Sequence, residues 1–295
     1  MSRFTKYILF TFITSWAVMG IGCRDLEQGS SAGRMSFSYG LVFSMFMPAL
    51  GALIAGADIR GMGWRLNAGK NYKLILFAWL MPTVFTLTGA ALYFAFFPDD
   101  FSPAEGFLRT MGEERFEEFR ENSSYAGYLL REIFYSLTSY FTFIGIISGL
   151  GEEIGWRGYL FPELESSYGR TKAVLMGGII HGAWHFPLIL LIGYEYGRDY
   201  FGAPFLGMPV FCIFTTSTGI ISYWLYRRSE SIWLPAIIHG TTNATVSTLI
   251  FRGGDHAERL ILGPGEVGLI SVIPMALFAA FIVWSEYKRE EELTE

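Results

Sequence analysis

Long apolar runs constrain this chain more than any other feature. A helix needs roughly 20 mostly apolar residues to cross a bilayer. Charged residues make up only 17% of the sequence, and they gather in short clusters between the runs. Core helices of soluble proteins rarely run this long without a polar face. The sequence therefore predicts an all-α, polytopic membrane protein with about eight transmembrane helices, at approximately 4–23, 36–57, 72–97, 128–150, 172–193, 204–226, 231–251 and 262–285.

Charge and cysteine content exclude several classes of protein. The formal net charge is −5, which gives no reason to expect nucleic-acid binding. The two cysteines, Cys23 and Cys212, are too few for a disulfide framework or a cysteine-based zinc site. No composition shift or long-period repeat divides the chain. We therefore expect a single membrane domain over residues 1–295, in contact with the lipid bilayer, with its chemical motifs in a core at 145–245.

The distribution of basic residues predicts the orientation in the membrane. Threading eight spans puts more Lys and Arg, including Lys288 and Arg289, on the side that holds both termini. Cytoplasmic loops are enriched in Lys and Arg, so we expect a multi-pass protein of the cell membrane with both termini cytoplasmic. The first run is not followed by an Ala-x-Ala cleavage site, and we expect it to be a retained anchor.

One acidic segment, 98–125, falls outside the membrane in this arrangement. Its apolar side chains roughly share a face, which would suit a short amphipathic helix on the membrane surface. A solvated acidic loop is an equal alternative. The apolar residues concerned are Phe107, Leu108, Met111, Phe116 and Phe119.

Glu152, Glu153 and Arg157 form a charged cluster at the end of the fourth run. Successive helical residues turn by about 100°, so the two carboxylates should not share a face. Glu153 and Arg157 are four apart and can pair on one face. This leaves Glu152 to point into the bundle and act in chemistry, while the pair holds the helix. The alternative is that all three cap and solvate a helix end.

Two further pairs of polar residues lie in apolar runs. His181 and His185 are four apart in the fifth run, and His239 and Asn243 are four apart in the seventh. Gly182 follows His181, so the His-Glu-x-x-His zinc-protease pattern is absent. Ionisable groups inside membrane spans cost several kcal/mol and indicate function by default. Three independent polar clusters on three spans predict one shared polar site.

The residue types of this site suit hydrolysis of an amide bond. A carboxylate and an imidazole can hold a water molecule and remove its proton. A neutral histidine and an asparagine amide can donate hydrogen bonds to a developing oxyanion. No serine or cysteine stands beside a histidine in a nucleophile motif, which favours water as the nucleophile.

The same residues resemble those of a known family, the CAAX-processing and bacteriocin-processing (CPBP) intramembrane proteases, which include the type II CAAX prenyl endopeptidase. The resemblance rests on Glu152-Glu153-x-x-x-Arg157, on His185 within Trp184-His185-Phe186-Pro187, and on His239-x-x-x-Asn243, in that order. It implies that Glu152 and His185 activate the water, that His239 and Asn243 stabilise the oxyanion, and that Glu153 and Arg157 support the site.

His181 departs from the family pattern, which often has an aromatic residue four places before the second-motif histidine. We expect it to pack as an aromatic substitute, and the alternatives are tuning of the site or a metal ligand. The expected protein is thus a peptidase without a cofactor, acting on a peptide or membrane-anchored protein substrate through a cavity open to the cytoplasm.

Three alternatives stay open. Glu152, His185 and His239 could instead form a three-ligand zinc site with an open fourth position, although Asn243 is a poor zinc ligand. A non-catalytic membrane scaffold or immunity protein could keep the polar cluster for stability. A proton-coupled transporter also uses buried Glu and His.

Overall fold

A computed structural model describes residues 1–287, apart from the side chains of Asn122 and Tyr287. This part of the chain is helical, and its only extended pairing is an isolated antiparallel bridge between Phe101 and Arg252. The α-helices are α1 (Arg3–Glu27), α2 (Ser31–Ser44), α3 (Met47–Ile54), α4 (Ala68–Phe96), α5 (Pro103–Met111), α6 (Glu113–Asn122), α7 (Tyr125–Thr138), α8 (Tyr140–Gly155), α9 (Phe161–Tyr168), α10 (Arg170–Trp184), α11 (Phe186–Ile192), α12 (Gly207–Ser229), α13 (Trp233–Asn243) and α14 (Ile273–Ile282).

Within residues 1–287, five helices are long and apolar enough to cross a membrane. A sixth crossing arises if α7 and the helix Tyr140–Tyr168, bent by 42° at their junction, form one span. The prediction of an all-α polytopic membrane protein is confirmed, and the count of eight crossings is not. The five are α1, α2 with α3, α4, α10 with α11, and α12.

The last two predicted spans are shorter than the sequence suggested. The run predicted over 231–251 is helical only to Asn243, after which the chain forms turns and a short 3₁₀ segment, Thr248–Phe251. The run predicted over 262–285 becomes helical only at Ile273. Gly263-Pro264-Gly265 precedes that helix, and both residue types are unfavourable inside a helix. Average hydropathy therefore overestimated the length of both elements.

The acidic segment 98–125 contains two helices, α5 and α6, whose aromatic side chains face the protein. Phe107 is fully buried, and its ring stacks on that of Phe119 with the centroids 5.0 Å apart. Phe107 and Phe116 form a cluster with Val246 and Ile250, which follow α13. The expected shared apolar face exists, but it packs on the bundle. Neither a helix resting on lipid through these rings nor a loop surrounded by water describes it.

The helix ends lie on two opposite faces of the protein, one of which is joined by ion pairs between loops. An ion pair of 2.8 Å joins Arg198 to Glu27 at the end of α1, and Arg259 lies 2.9 Å from Asp99. We call the face made by residues 27–30, 97–102, 193–206 and 244–272 the far face, because it lies at the end of α1 opposite the N-terminus. It is the face predicted to be exterior. Lys288 and Arg289, which entered that prediction, lie outside the described residues.

Close packing between α8 and α13 brings the polar motifs together. A Cβ at Gly240 would lie 2.3 Å from the backbone nitrogen of Ile146, so only glycine permits this approach. A Cβ at Gly149 would lie 3.1 Å from the ring of His239. Small residues at helix interfaces allow such contact in membranes. The backbone thus sets His239 directly against the helix that carries both glutamates.

Candidate active site

The two glutamates lie in the last turn of α8, where the helix widens. Residues Trp156–Leu160 form a π-helical turn that connects α8 to α9, and π-turns within α-helices occur often at functional sites. Glu152 is 2% exposed and Glu153 is 1% exposed. The alternative that these residues cap and solvate a helix end is therefore wrong, because both carboxylates are buried inside the bundle.

Glu153 connects two helices through one carboxylate oxygen. Its Oε1 accepts a hydrogen bond of 2.8 Å from Arg157 Nη1, and the Arg157 side chain is buried as well. The same oxygen lies 2.8 Å from His239 Nδ1 on α13. The predicted pairing of Glu153 with Arg157 is present, and it extends to a histidine that the sequence assigned to another role. Arg157 also lies over the ring of Phe161, 5.1 Å from its centroid.

Glu152 contacts a different set of side chains. Its Oε2 accepts a hydrogen bond of 2.9 Å from the indole nitrogen of Trp156 and lies 3.1 Å from His181 Nε2. Its Oε1 lies 3.8 Å from His239 Nε2. The imidazole of His239 therefore has one carboxylate at each ring nitrogen. The two adjacent glutamates point to different sides of α8, and the imidazole of His239 lies between their carboxylates.

His185 stands at a break in its helix rather than on a regular helical face. α10 ends at Trp184 and α11 begins at Phe186, and Pro187 cannot donate a backbone hydrogen bond to continue the helix. His185 Nδ1 lies 3.2 Å from the backbone oxygen of His181. A proton on Nδ1 would be donated to that oxygen, leaving the Nε2 lone pair free. Among the described residues, no His185 nitrogen lies within 4.0 Å of a Glu152 oxygen.

A cavity of about 310 Å³ passes through this region. Its lining includes Glu153, Arg157, His181, His185, His239 and Asn243. Asn243 is the last residue of α13, one turn after His239, and its side chain is exposed. Glu152 is not part of the lining. It lies behind the wall, in contact with two histidines that form it.

The cavity extends toward the far face, where Glu195 and Glu266 form part of its wall. Burial together with the nearby charge of Glu195 raises the pKa of Glu266 to about 7. A cavity open to the cytoplasm and cytoplasmic termini were both expected. The wall formed by Glu195 and Glu266 lies on the far face, opposite the N-terminus.

The three side chains of the alternative zinc site, Glu152, His185 and His239, do not bring their ligand atoms around one point. Within residues 1–287, the only His, Cys, Asp or Glu side chains that bring three ligand atoms within 4.8 Å of one another are those of Asp99, Asp100 and His256. That group lies on the far face and already contains a cation, because Arg259 is 2.9 Å from Asp99 and 3.2 Å from Asp100. Glu152, His185 and His239 would have to move together to hold one ion, so as placed they do not fit zinc.

The structure brings the predicted site residues into one region and adds others that the sequence analysis did not assign. Glu153, Arg157, His185, His239 and Asn243 line one cavity, and Glu152 lies next to it. His181 contacts Glu152 directly as well as packing against an aromatic ring. The aromatic character expected of His181 was correct, and its hydrogen bond was missed. The residues without a predicted role at the site are Trp156, Glu195 and Glu266.

Comparison with known proteins bears on the same segment. The family model for type II CAAX prenyl endopeptidase Rce1-like proteins matches residues 134–245, which contain all three motifs in order. The motif-bearing segment is therefore similar to the Rce1-like (CPBP) family. The family predicted from the motifs is thereby confirmed.

A curated relative also resembles part of this chain. The protein named CAAX prenyl protease 2 from Methanococcus maripaludis is 34% identical over 102 residues. The match covers 34% of this chain and 37% of the relative, so the similarity spans little more than a third of the relative's length.

Proposed function

We propose that this chain is an intramembrane endopeptidase that hydrolyses a peptide bond with an activated water molecule. The observation that carries the proposal is the convergence of His185, His239 and Asn243 on one cavity, with Glu152 directly behind its wall. Similarity of the motif-bearing segment to the Rce1-like family supports a peptidase over the scaffold and transporter alternatives. The relative's name, CAAX prenyl protease 2, supports the same class of reaction.

In the proposed mechanism, Glu152 and His185 remove the proton of the attacking water. Glu152 Oε1 lies 3.8 Å from His239 Nε2, too far for a direct hydrogen bond. A water molecule beside this gap would give its proton to Oε1, and the unprotonated Nε2 of His185 would accept from the same water. The water oxygen attacks the carbonyl carbon, and the proton then passes to the leaving amine as the C–N bond breaks.

His239 and Asn243 would stabilise the negative oxygen of the tetrahedral intermediate. Asn243 donates from its side-chain amide. His239 donates from Nε2 when it carries protons on both nitrogens, and the carboxylates of Glu152 and Glu153 on either side of its ring stabilise that cation. Fixed donors aimed at a developing charge are among the largest contributions to catalysis. Glu153 and Arg157 would hold His239 in place.

We propose that the reaction needs no metal. The donor atoms of Glu152, His185 and His239 are not arranged around one point, and Asn243 is better suited to donate to an oxyanion than to bind zinc. Tightly bound, stoichiometric zinc in the purified active protein, lost together with activity on chelation, would contradict this.

The substrate is proposed to be a peptide or a membrane-anchored protein, and the relative's name makes a prenylated CAAX peptide the first probe to use. For localisation we propose the cell membrane with both termini cytoplasmic, which points the cavity toward the exterior. Labelling of single cysteines at Ser2 and Glu195 with a membrane-impermeant reagent in intact cells tests this. Labelling at position 2 alone would show that the N-terminus is exterior and would contradict the proposed orientation.

The decisive experiment compares membranes that contain the wild-type protein with membranes that contain Glu152→Gln, His185→Ala or His239→Ala. Each variant should abolish proteolysis while expression and membrane insertion stay intact, so that a precursor protein accumulates in the proteome. Glu230→Gln, on the exposed end of α12, is the matched control and should behave as wild type. If the Glu152→Gln variant still cleaved substrate, Glu152 would not be the base.

The same variants distinguish a protease from a scaffold or immunity protein and from a transporter. A scaffold or immunity protein would keep its biological function in Glu152→Gln. A transporter would show a flux in proteoliposomes that depends on Glu152, without any peptide cleavage.

A further inference from the structure

His181 occupies the position where the sequence pattern of the family often has a purely aromatic residue. It packs as one, since its ring lies 5.0 Å from that of Trp156 at an angle of 34°. Its Nε2 also lies 3.1 Å from Glu152 Oε2. A phenylalanine could reproduce the packing but not this polar contact. The question is therefore whether the imidazole acts on Glu152 or only fills space.

The surroundings of the ring decide which nitrogen carries the proton. His181 is 6% exposed, and its Nδ1 is buried with no hydrogen-bond partner among the described residues. A proton on Nδ1 would bury an N–H donor with nothing to accept it, at a substantial cost in folding free energy. A proton on Nε2 has the carboxylate of Glu152 as its acceptor. The favoured tautomer therefore donates from Nε2 to Glu152 Oε2.

Trp156 donates to the same oxygen. Its indole N–H lies 2.9 Å from Glu152 Oε2, so two donors from two helical segments converge on one carboxylate oxygen. Oε1 has no hydrogen-bond partner among the described residues, and it is the oxygen that faces His239. The pair of donors fixes the rotation of the carboxylate and determines which oxygen remains available.

We propose that His181 is a positioning residue, which together with Trp156 holds Glu152 so that Oε1 is the oxygen presented to the water molecule. This inference rests on the proposed protease function. Without the His181 donor the carboxylate can rotate, and Oε1 loses its fixed place. A hydrogen-bond donor that orients a reacting group typically accounts for about 10–100-fold in activity, and the loss should appear in kcat with little change in KM.

Two substitutions of His181 distinguish a role in positioning Glu152 from a role in packing alone. His181→Phe keeps the ring against Trp156 and removes the donor, whereas His181→Gln keeps an N–H donor and removes the ring. A positioning role predicts that His181→Phe loses about 10–100-fold in kcat on a prenylated CAAX reporter peptide and that His181→Gln recovers most of it. A packing role predicts the reverse order. Equal losses in the two folded variants would also overturn the proposal.

His256→Phe is the matched control, because it makes the same change at a partly exposed histidine on the far face and should leave activity unchanged. Thermal unfolding of all variants identifies any loss that comes from misfolding.

A spectroscopic measurement tests the contact without relying on catalysis. The chain has four histidines, so ¹⁵N signals from their rings can be assigned one by one in lipid bilayers. We expect His181 to be protonated at Nε2 and not at Nδ1, and we expect its Nε2 signal to move in Glu152→Ala while that of His256 stays in place. A protonated Nδ1, or no response to Glu152→Ala, would overturn the inference. Absence of any peptide cleavage by the wild-type protein would instead overturn the protease function, while the nitrogen spectrum still decides the contact.

Discussion

His239 and Glu153 are joined by a hydrogen bond of 2.8 Å, although 86 residues separate them in the chain. The same glutamate oxygen accepts from Arg157 at 2.8 Å. One buried carboxylate thus connects the turn after α8 to the middle of α13. The imidazole that borders the cavity depends on this carboxylate for its orientation, and the carboxylate depends on Arg157 for its charge balance.

We predict that Arg157→Met destabilises the protein strongly, because it leaves the buried Glu153 without its guanidinium partner. Breaking a buried ion pair by removing one member costs about 3–5 kcal/mol. Loss of thermal stability in detergent or bilayers measures the effect. Arg24→Met is the matched control, since its partner is Asp25 and its side chain is 71% exposed. That change should cost about 0–1 kcal/mol. Equal stability of the two variants would contradict the importance of the Glu153 connection.

Substitution of Asn243 tests the oxyanion proposal, because it should reduce activity by a defined factor rather than abolish it. Asn243→Ala should reduce kcat by about 10²–10³-fold, the usual effect of losing one oxyanion donor, with little change in KM. Asn243→Asp should lose more, because it removes the donor and adds a negative charge beside the developing one. Steady-state cleavage of a reporter peptide gives both values. Full activity in Asn243→Ala would leave His239 as the only candidate donor of the pair.

The sequence could predict which helices converge because polar residues are rare inside apolar runs. Glu152, His239 and Asn243 stand out against long stretches of Leu, Ile and Phe, and burying each separately would be costly. The rarity of such residues was enough to predict that these segments meet. Helical spacing also predicted the pairing of Glu153 with Arg157, because the two residues lie four apart in consecutive turns.

Helical periodicity could not predict which histidine contacts Glu152. His181 and His185 are four apart and would share a face on a continuous helix. The helix breaks at His185, whose Nδ1 turns back to the His181 carbonyl, so only His181 lies against the carboxylate. The break accompanies Pro187, but a proline inside a membrane helix does not by itself reveal how the side chains before it turn. Tertiary packing decides that.

Glu266 should make stability depend on pH near neutrality. Its folded-state pKa of about 7 lies above the usual value of a glutamate, so the folded protein holds this proton more tightly than the unfolded chain does. Stability is therefore highest at pH values below the unfolded-state pKa of the carboxyl, and this contribution is lost as pH rises through about 7. We expect an effect on the order of 1–3 kcal/mol by pH 8.

The measurement is the unfolding temperature of wild type and Glu266→Gln between pH 5 and pH 8. The wild-type value should fall across this range, and the variant should fall less because it carries no ionisable group there. Glu230→Gln, at an exposed ion pair, should keep the wild-type slope. Parallel slopes in wild type and Glu266→Gln would contradict the assignment of this proton to Glu266.

Helices α5 and α6 give the last prediction, because their aromatic rings pack against the segment that follows Asn243. Phe107 is fully buried between Phe119, Tyr128 and the ring of Phe251, whereas its neighbour Leu108 is 40% exposed. Removing a buried phenylalanine costs about 3–5 kcal/mol. Phe107→Ala should therefore lower the unfolding temperature, and it should lower peptide cleavage by loosening residues 244–251. Leu108→Ala should change neither quantity. If α5 instead rested on lipid through Phe107, removal of the ring would weaken its membrane contact without affecting the bundle, and stability and cleavage would both stay at the wild-type level.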